Sequence, residues 1–191
     1  MSIAASFAEH AAVVEAARSA LEPALEKAAA VLTQCLAKSG TIFACGNGGS
    51  ATDAQHLVAE LVGRFRAERR PLAAVALSAN IATVTALAND YGFDQVFARQ
   101  VAALGRRGDV LVAISTSGRS ANVLAAARAA RSLDLTVIAL TGAGGGELKA
   151  LAHHWLEAPS QVVARIQEIH GLCIHALCEA LDAALAPETH P

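Results

Sequence analysis

The apolar run Asp109-Val110-Leu111-Val112-Ala113-Ile114 leads directly into Ser115-Thr116-Ser117-Gly118-Arg119-Ser120, and it constrains this fold more than any other segment. A short stretch rich in β-branched residues, with no polar alternation, suits a strand covered on both faces. Residues 121–131, dominated by alanine with Leu124 and two arginines, then favour a helix. The same order recurs. Residues 41–45 read as a strand ahead of a glycine loop and a helix over 51–65. Residues 72–77 read as a strand ahead of short helical material and a helix near 94–104. Residues 135–140 form a fourth strand ending in Thr141-Gly142-Ala143-Gly144-Gly145-Gly146, and 154–158 a fifth, before a closing helix over 162–185. Repetition of this kind specifies an α/β fold: three layers, α-β-α, around a five-stranded parallel sheet. Residues 3–20 and 22–38 predict an N-terminal helical hairpin broken at Glu22-Pro23.

The chain has 191 residues, which suits one domain (1–191), with helices at 3–38 and a core at 41–185. Its net charge of −2 offers no footprint for nucleic acid or an anionic membrane. The N-terminal helices carry Glu9, Glu15, Glu22 and Glu26 against Arg18 and Lys27, so they lack the basic face of a DNA reader. Packing, between subunits, is the expected role, because 54% hydrophobic residues exceed what one small monomer needs. Residues 72–88, the longest apolar stretch, are broken by Ser78, Asn80, Thr83 and Thr85, which excludes a membrane span there. No basic segment precedes an apolar one at the start, and Cys35, Cys45, Cys173 and Cys178 form no C-x-x-C pair. A reduced, cytoplasmic protein is expected.

Hydroxyls and glycine at a strand-to-helix turn can aim O–H and free N–H groups at one anion, aided by the helix dipole. One serine would suffice for a cap, so three hydroxyls among residues 115–120 beyond the cap point to phosphate recognition. Gly46-Asn47-Gly48-Gly49-Ser50-Ala51 satisfies the dinucleotide fingerprint G-x-G-x-x-A. That site also needs an acid at the end of the second strand, where this chain has Leu77-Ser78-Ala79-Asn80. The loop is therefore read as a tight turn bringing N–H groups, Asn47 and Ser50 to a small polar ligand.

The following helix carries Asp53, His56, Glu60 and Arg64, the last three spaced i, i+4, i+8 on one face. Spacing alone leaves two readings equally open: a solvated stripe, or chelation of a metal by His56 and Glu60. In the last helix, His170, Cys173, His175 and Cys178 cannot close a tetrahedron, because four ligands on one straight helix point in different directions. The cysteines are expected in the core, and His153 and His154 to be structural.

Six segments in order resemble the sugar isomerase (SIS) domain family. They are Cys45-Gly46-Asn47-Gly48-Gly49-Ser50, Asp53-Ala54-Gln55-His56-Leu57-Val58-Ala59-Glu60, Gly63-Arg64-Phe65, Ala88-Asn89-Asp90-Tyr91-Gly92-Phe93, residues 114–120, and Arg165-Ile166-Gln167-Glu168-Ile169-His170 with His175 beyond. The resemblance implies a SIS-type fold and an aldose–ketose isomerase. Its reaction would convert sedoheptulose 7-phosphate to D-glycero-D-manno-heptose 7-phosphate through a cis-enediol, at the head of ADP/GDP-heptose precursor and lipopolysaccharide synthesis. It implies that Ser50, Ser115, Thr116, Ser117 and Ser120 hold the phosphate, and that Asn47, Gly48, Gly49, Asn89, Asp90 and Arg64 contact the sugar. His56, Glu60, Gln167 and His175 would bind one zinc per subunit. Glu60 and His175 would be the acid/base pair, Glu60 moving the carbon proton, with Glu60 and Gln167 also touching substrate. Homotetramers with sites at subunit interfaces are implied as well. Where some relatives carry Asp three residues before the glutamine, this chain has Ala164. The alternatives are a non-catalytic paralogue that binds the replication initiator, which would be expected to lack the ionisable pair kept here, and a module for another sugar phosphate.

Overall fold

The computed structural model describes residues 2–185. Helix α1 (Ile3–Ala37) is followed by β1 (Ile42–Cys45), α2 (Gly49–Val62), β2 (Ala74–Ala76), α3 (Ile81–Tyr91), a 3-10 turn (Phe93–Gln95) and α4 (Ala98–Leu104). Then come β3 (Val110–Ser115), α5 (Ala121–Ser132), β4 (Thr136–Thr141), α6 (Leu148–Leu151), β5 (His154–Glu157) and α7 (Val163–Leu185). All five strands are parallel, as the sequence predicts, and they lie in the order β2-β1-β3-β4-β5.

The N-terminal hairpin does not form. Pro23 lies inside one continuous helix. Proline removes one N–H and costs about 3 kcal/mol in a helix interior. Here Ala17, Leu21, Ala28, Leu32 and Leu36 continue one buried stripe through it, so burial on either side outweighs the lost bond. That stripe packs within the chain, against the cluster that includes Ile174 and Leu177 of α7. The first two turns of α1 leave Ile3 and Phe7 exposed.

The strands alternate with a period of two. Ile42, Ala44, Val110, Val112 and Ile114 face a core shared with α1, α2 and α7. Phe43, Cys45, Leu111, Ala113 and Val137 face a second core with α4 and α5. Both faces of the sheet are thereby covered, which is why its strands read as unbroken apolar runs. Helix α3 is the exception, burying no side chain fully.

From β1 the chain steps outward to β2 and then crosses back to β3 on the other side of β1. The β1/β3 pair is therefore where strand order reverses, and in open α/β sheets ligands sit in the crevice beyond the carboxyl ends at that point. Both polar loops, residues 46–48 and 116–120, open onto it.

Candidate active site

The serine loop leaves β3 at Ser115, a buried residue whose hydroxyl lies 2.9 Å from that of Ser120. Ser120 precedes α5 in extended conformation yet makes no side-chain capping bond. Its backbone holds the N-cap position, while its hydroxyl is turned to Ser115 instead of to the helix. In a serine–serine pair one proton is shared and the other remains for an outside acceptor. Ser117 Oγ accepts the Arg119 N–H at 3.2 Å, and the Thr116 carbonyl accepts from the Gly142 N–H at 2.9 Å.

Gly118 has φ +63°, and a Cβ there would stand 2.0 Å from the Gly145 carbonyl oxygen. The glycines after β4 thus serve to seat the serine loop, a contact that no local pattern discloses. Across the crevice, Asn47 and Asn122 exchange two amide hydrogen bonds, each 2.8 Å. The resemblance implies that Asn47 contacts the sugar. Its amide is half committed to Asn122, leaving one N–H and one acceptor site for a ligand. Asn122, buried at the start of α5, was not legible as a site residue.

Helix α2 begins at Gly49 with Ser50 buried in its first turn. A Cβ at Gly49 would lie 2.3 Å from Gln167 Nε2, so the glycine admits the amide of Gln167 from α7 against the loop. Further along α2, His56 Nε2 is 3.2 Å from Glu60 Oε1, and His175 Nε2 on α7 is 3.3 Å from His56 Nε2. The three ligand atoms lie within 4.8 Å of one another. Phe65 backs His175, with ring centroids 5.3 Å apart. Burial raises the pKa of half-buried Asp53, one turn before His56, against the opposing charge of His56.

Helix α2 and α7 are held together by an ion pair that motif reading missed. Arg69 donates from Nε to Asp182 Oδ1 at 2.8 Å and from Nη2 to the Glu60 carbonyl at 2.8 Å. Asp182 also accepts the N–H groups of Arg66 (2.7 Å) and Ala67 (2.8 Å). Burial alone would raise the Asp182 pKa, but these donors and the guanidinium outweigh it and hold the carboxyl below the usual range. The pair thus satisfies the open carbonyls at the end of α2 and pins that end to α7.

Arg64 departs from the i+8 reading. Helix α2 stops at Val62, with Gly63 non-helical as its C-cap, so Arg64 leaves the face of His56 and Glu60 and pairs with Glu68 at 3.5 Å. Asn89 and Asp90 lie at the exposed end of α3, with the Asn89 amide donating to Asp90 at 2.8 Å. Gln167 lies eight residues before His175, about 12 Å of helical rise. Within one chain, three of the four implied metal ligands therefore meet, and Gln167 sits at the glycine loop instead.

A tetrahedral zinc with bonds of about 2.0–2.1 Å sets its ligand atoms about 3.3 Å apart. Two edges of the His56–Glu60–His175 cluster match that spacing, and two imidazoles with one carboxylate are a known catalytic zinc set with one position left open. The donors fit the ion. The cysteines lie in the core, and His153 is bonded to the sheet. Burial pushes the thiols of Cys45, Cys173 and Cys178 up to about 12, and His153 Nδ1 accepts the Val137 N–H at 2.9 Å, a structural role.

A sequence model described as the SIS domain matches residues 6–142. The chain belongs to the SIS domain family. The phosphoheptose isomerase of Neisseria meningitidis serogroup A is 54% identical to this SIS chain over 187 residues, covering 96% of this chain and 94% of its own length. That of Shewanella denitrificans is 51% identical over 175 residues, covering 90% and 89%. Among solved structures, phosphoheptose isomerase GmhA from Neisseria gonorrhoeae aligns with TM-score 0.90 at 50% identity, over 95% of this chain and 97% of that one. A phosphoheptose isomerase from Francisella tularensis aligns with TM-score 0.92 at 43% identity, over 95% and 96%.

Proposed function

We infer that this SIS chain is an aldose–ketose isomerase converting sedoheptulose 7-phosphate to D-glycero-D-manno-heptose 7-phosphate, the entry to ADP/GDP-heptose and lipopolysaccharide precursors. The observation that carries this reading is the convergence of Glu60 and His175, 115 residues apart, in a chain whose strand-order crevice is lined by serine hydroxyls. Relatives above 50% identity named phosphoheptose isomerase support it.

Isomerisation takes a proton from C1 and returns one at C2, through a cis-enediol. Ser50, Ser115, Thr116, Ser117 and Ser120 hold the phosphate, and binding energy at that end orients the reacting carbons. Asn47, Gly48, Gly49, Asn89, Asp90, Arg64 and Gln167 contact the sugar chain. Glu60 moves the carbon proton while His175 shuttles the proton between the neighbouring oxygens. His56, Glu60 and His175 would hold zinc, with Gln167 as fourth ligand on family grounds. When bound, the ion would polarise the substrate carbonyl.

Gln167 is about two helical turns from His175, so a set of four draws on a second copy or a shift of α7. A homotetramer with interface sites supplies such a copy. Supporting it, α3 buries nothing fully and leaves Ile81 and Tyr91 exposed, and Val75 lies open on the edge strand β2. Cytoplasmic placement is supported by four free, buried cysteines; no described helix is long and apolar enough to cross a membrane.

The test is incubation of the protein with sedoheptulose 7-phosphate in D2O, with and without chelator, followed by NMR. An aldose product with deuterium at the exchanging carbon is expected, with turnover falling after metal removal. Absence of conversion in metal-replete protein excludes the isomerase reading.

A further inference from the structure

Every residue assigned to the phosphate is an uncharged hydroxyl, whereas a phosphate monoester is a dianion above its second ionisation near pH 6. Hydroxyls and N–H groups can bond such an anion but cannot neutralise it. A cavity of about 250 Å³ opens beside the serine loop, with Thr116, Ser117, Arg119, Ser160 and Gln161 in its wall. Arg119 is the one ionisable residue lining it.

Arginine in this chain is otherwise engaged near the site. Arg64, Arg66, Arg69 and Arg165 each have a carboxylate partner. Among the described residues the guanidinium of Arg119 has no ion pair, while its backbone N–H is anchored on Ser117 Oγ at 3.2 Å. An exposed, uncommitted cation is thus tethered at the tip of the loop that holds the anion.

We propose that Arg119 is the counter-charge of this site, its guanidinium closing over the bound phosphate and making the pocket selective for the doubly ionised monoester. The inference rests on the reading that residues 115–120 hold the phosphate. A guanidinium offers two parallel N–H donors to phosphate oxygens, and such charge-assisted bonds are about twice as strong as neutral ones. The effect belongs to binding and not to proton transfer, so it appears in KM.

The experiment compares wild type, Arg119→Gln, Arg119→Lys and Ser115→Ala. Steady-state kinetics with sedoheptulose 7-phosphate run from pH 5.0 to 7.5, with inorganic phosphate as competing anion. Arg119→Gln is expected to raise KM roughly tenfold at pH 7.5, to weaken phosphate inhibition in parallel, and to flatten the gain in affinity through pH 6. Arg119→Lys recovers most of the loss. Wild-type KM and pH profile in Arg119→Gln, with KM raised in Ser115→Ala, overturns the role of Arg119 and leaves the hydroxyl cradle standing. If neither substitution changes KM or phosphate inhibition, the loop does not hold the phosphate, and the inference falls with that reading. A loss in Arg119→Gln confined to kcat also overturns it.

Discussion

The two ends of the proposed site are made differently. The anchoring end is built on loops: two at neighbouring strand ends, seated on glycines, locked by the Asn47–Asn122 amide exchange and carrying short hydroxyl side chains. The reacting end is built from side chains on two helices, and His56 and His175 are exposed. A rigid sheet edge suits recognition of a group that does not change during the reaction. Residues that trade protons need side-chain freedom and access. On the proposed reading, the contrast teaches that binding and chemistry would occupy different structural layers, joined by α7.

The sharpest way to break this contrast is Glu60→Gln. It should leave a folded protein with kcat for sedoheptulose 7-phosphate reduced about a thousandfold and KM little changed. Near-normal turnover would remove Glu60 from the reaction. Next, Asp182→Ala strips a buried arginine of its partner and should cost about 3–5 kcal/mol in urea unfolding. If stability is kept, the ion pair is not what pins α2 to α7.

His170 tests the joint between the ends. It is fully buried on α7, and burial lowers its pKa to about 4 against a weaker opposing effect of the Thr141 backbone. The folded value lies below the unfolded one near 6.5, so its contribution is complete above that pH and is lost as pH falls toward 4. Between pH 7 and 4.5, His170→Leu should lose about 2.5 kcal/mol less stability than wild type. Parallel slopes would show that this imidazole is not held neutral. The smallest effect is expected from Ser115→Ala, which removes half of the serine pair. It should raise KM about tenfold, near 1.4 kcal/mol, and spare kcat. A matching fall in kcat would erase the division between the two ends.

Much of this was legible because the chain's local patterns agree with its fold. Apolar runs ending in glycine or serine marked the strands, and their order placed both loops at one edge. The i, i+4 spacing of His56 and Glu60 left a metal site open, but only packing of α7 against α2 brings in His175, which family resemblance alone had implied. Pro23 misled because its local cost is visible in sequence and the compensating stripe beneath α1 is tertiary. Arg64 misled because Gly63 ends the helix one residue too soon. The Arg69–Asp182 pair and the seat under Gly118 join segments far apart in the chain, so no local pattern announces them.

One uninterrupted helix carries Gln167 at the glycine loop and His175 at the ionisable cluster. Such a helix is a ruler graduated in steps of about 1.5 Å and 100°. Inserting one residue between those two positions would swing the imidazole a quarter-turn away while leaving the loop intact. If the proposed site is the true one, the distance between its two ends is set by helical register, and a change of specificity would be sought by resetting that ruler before reshaping the walls.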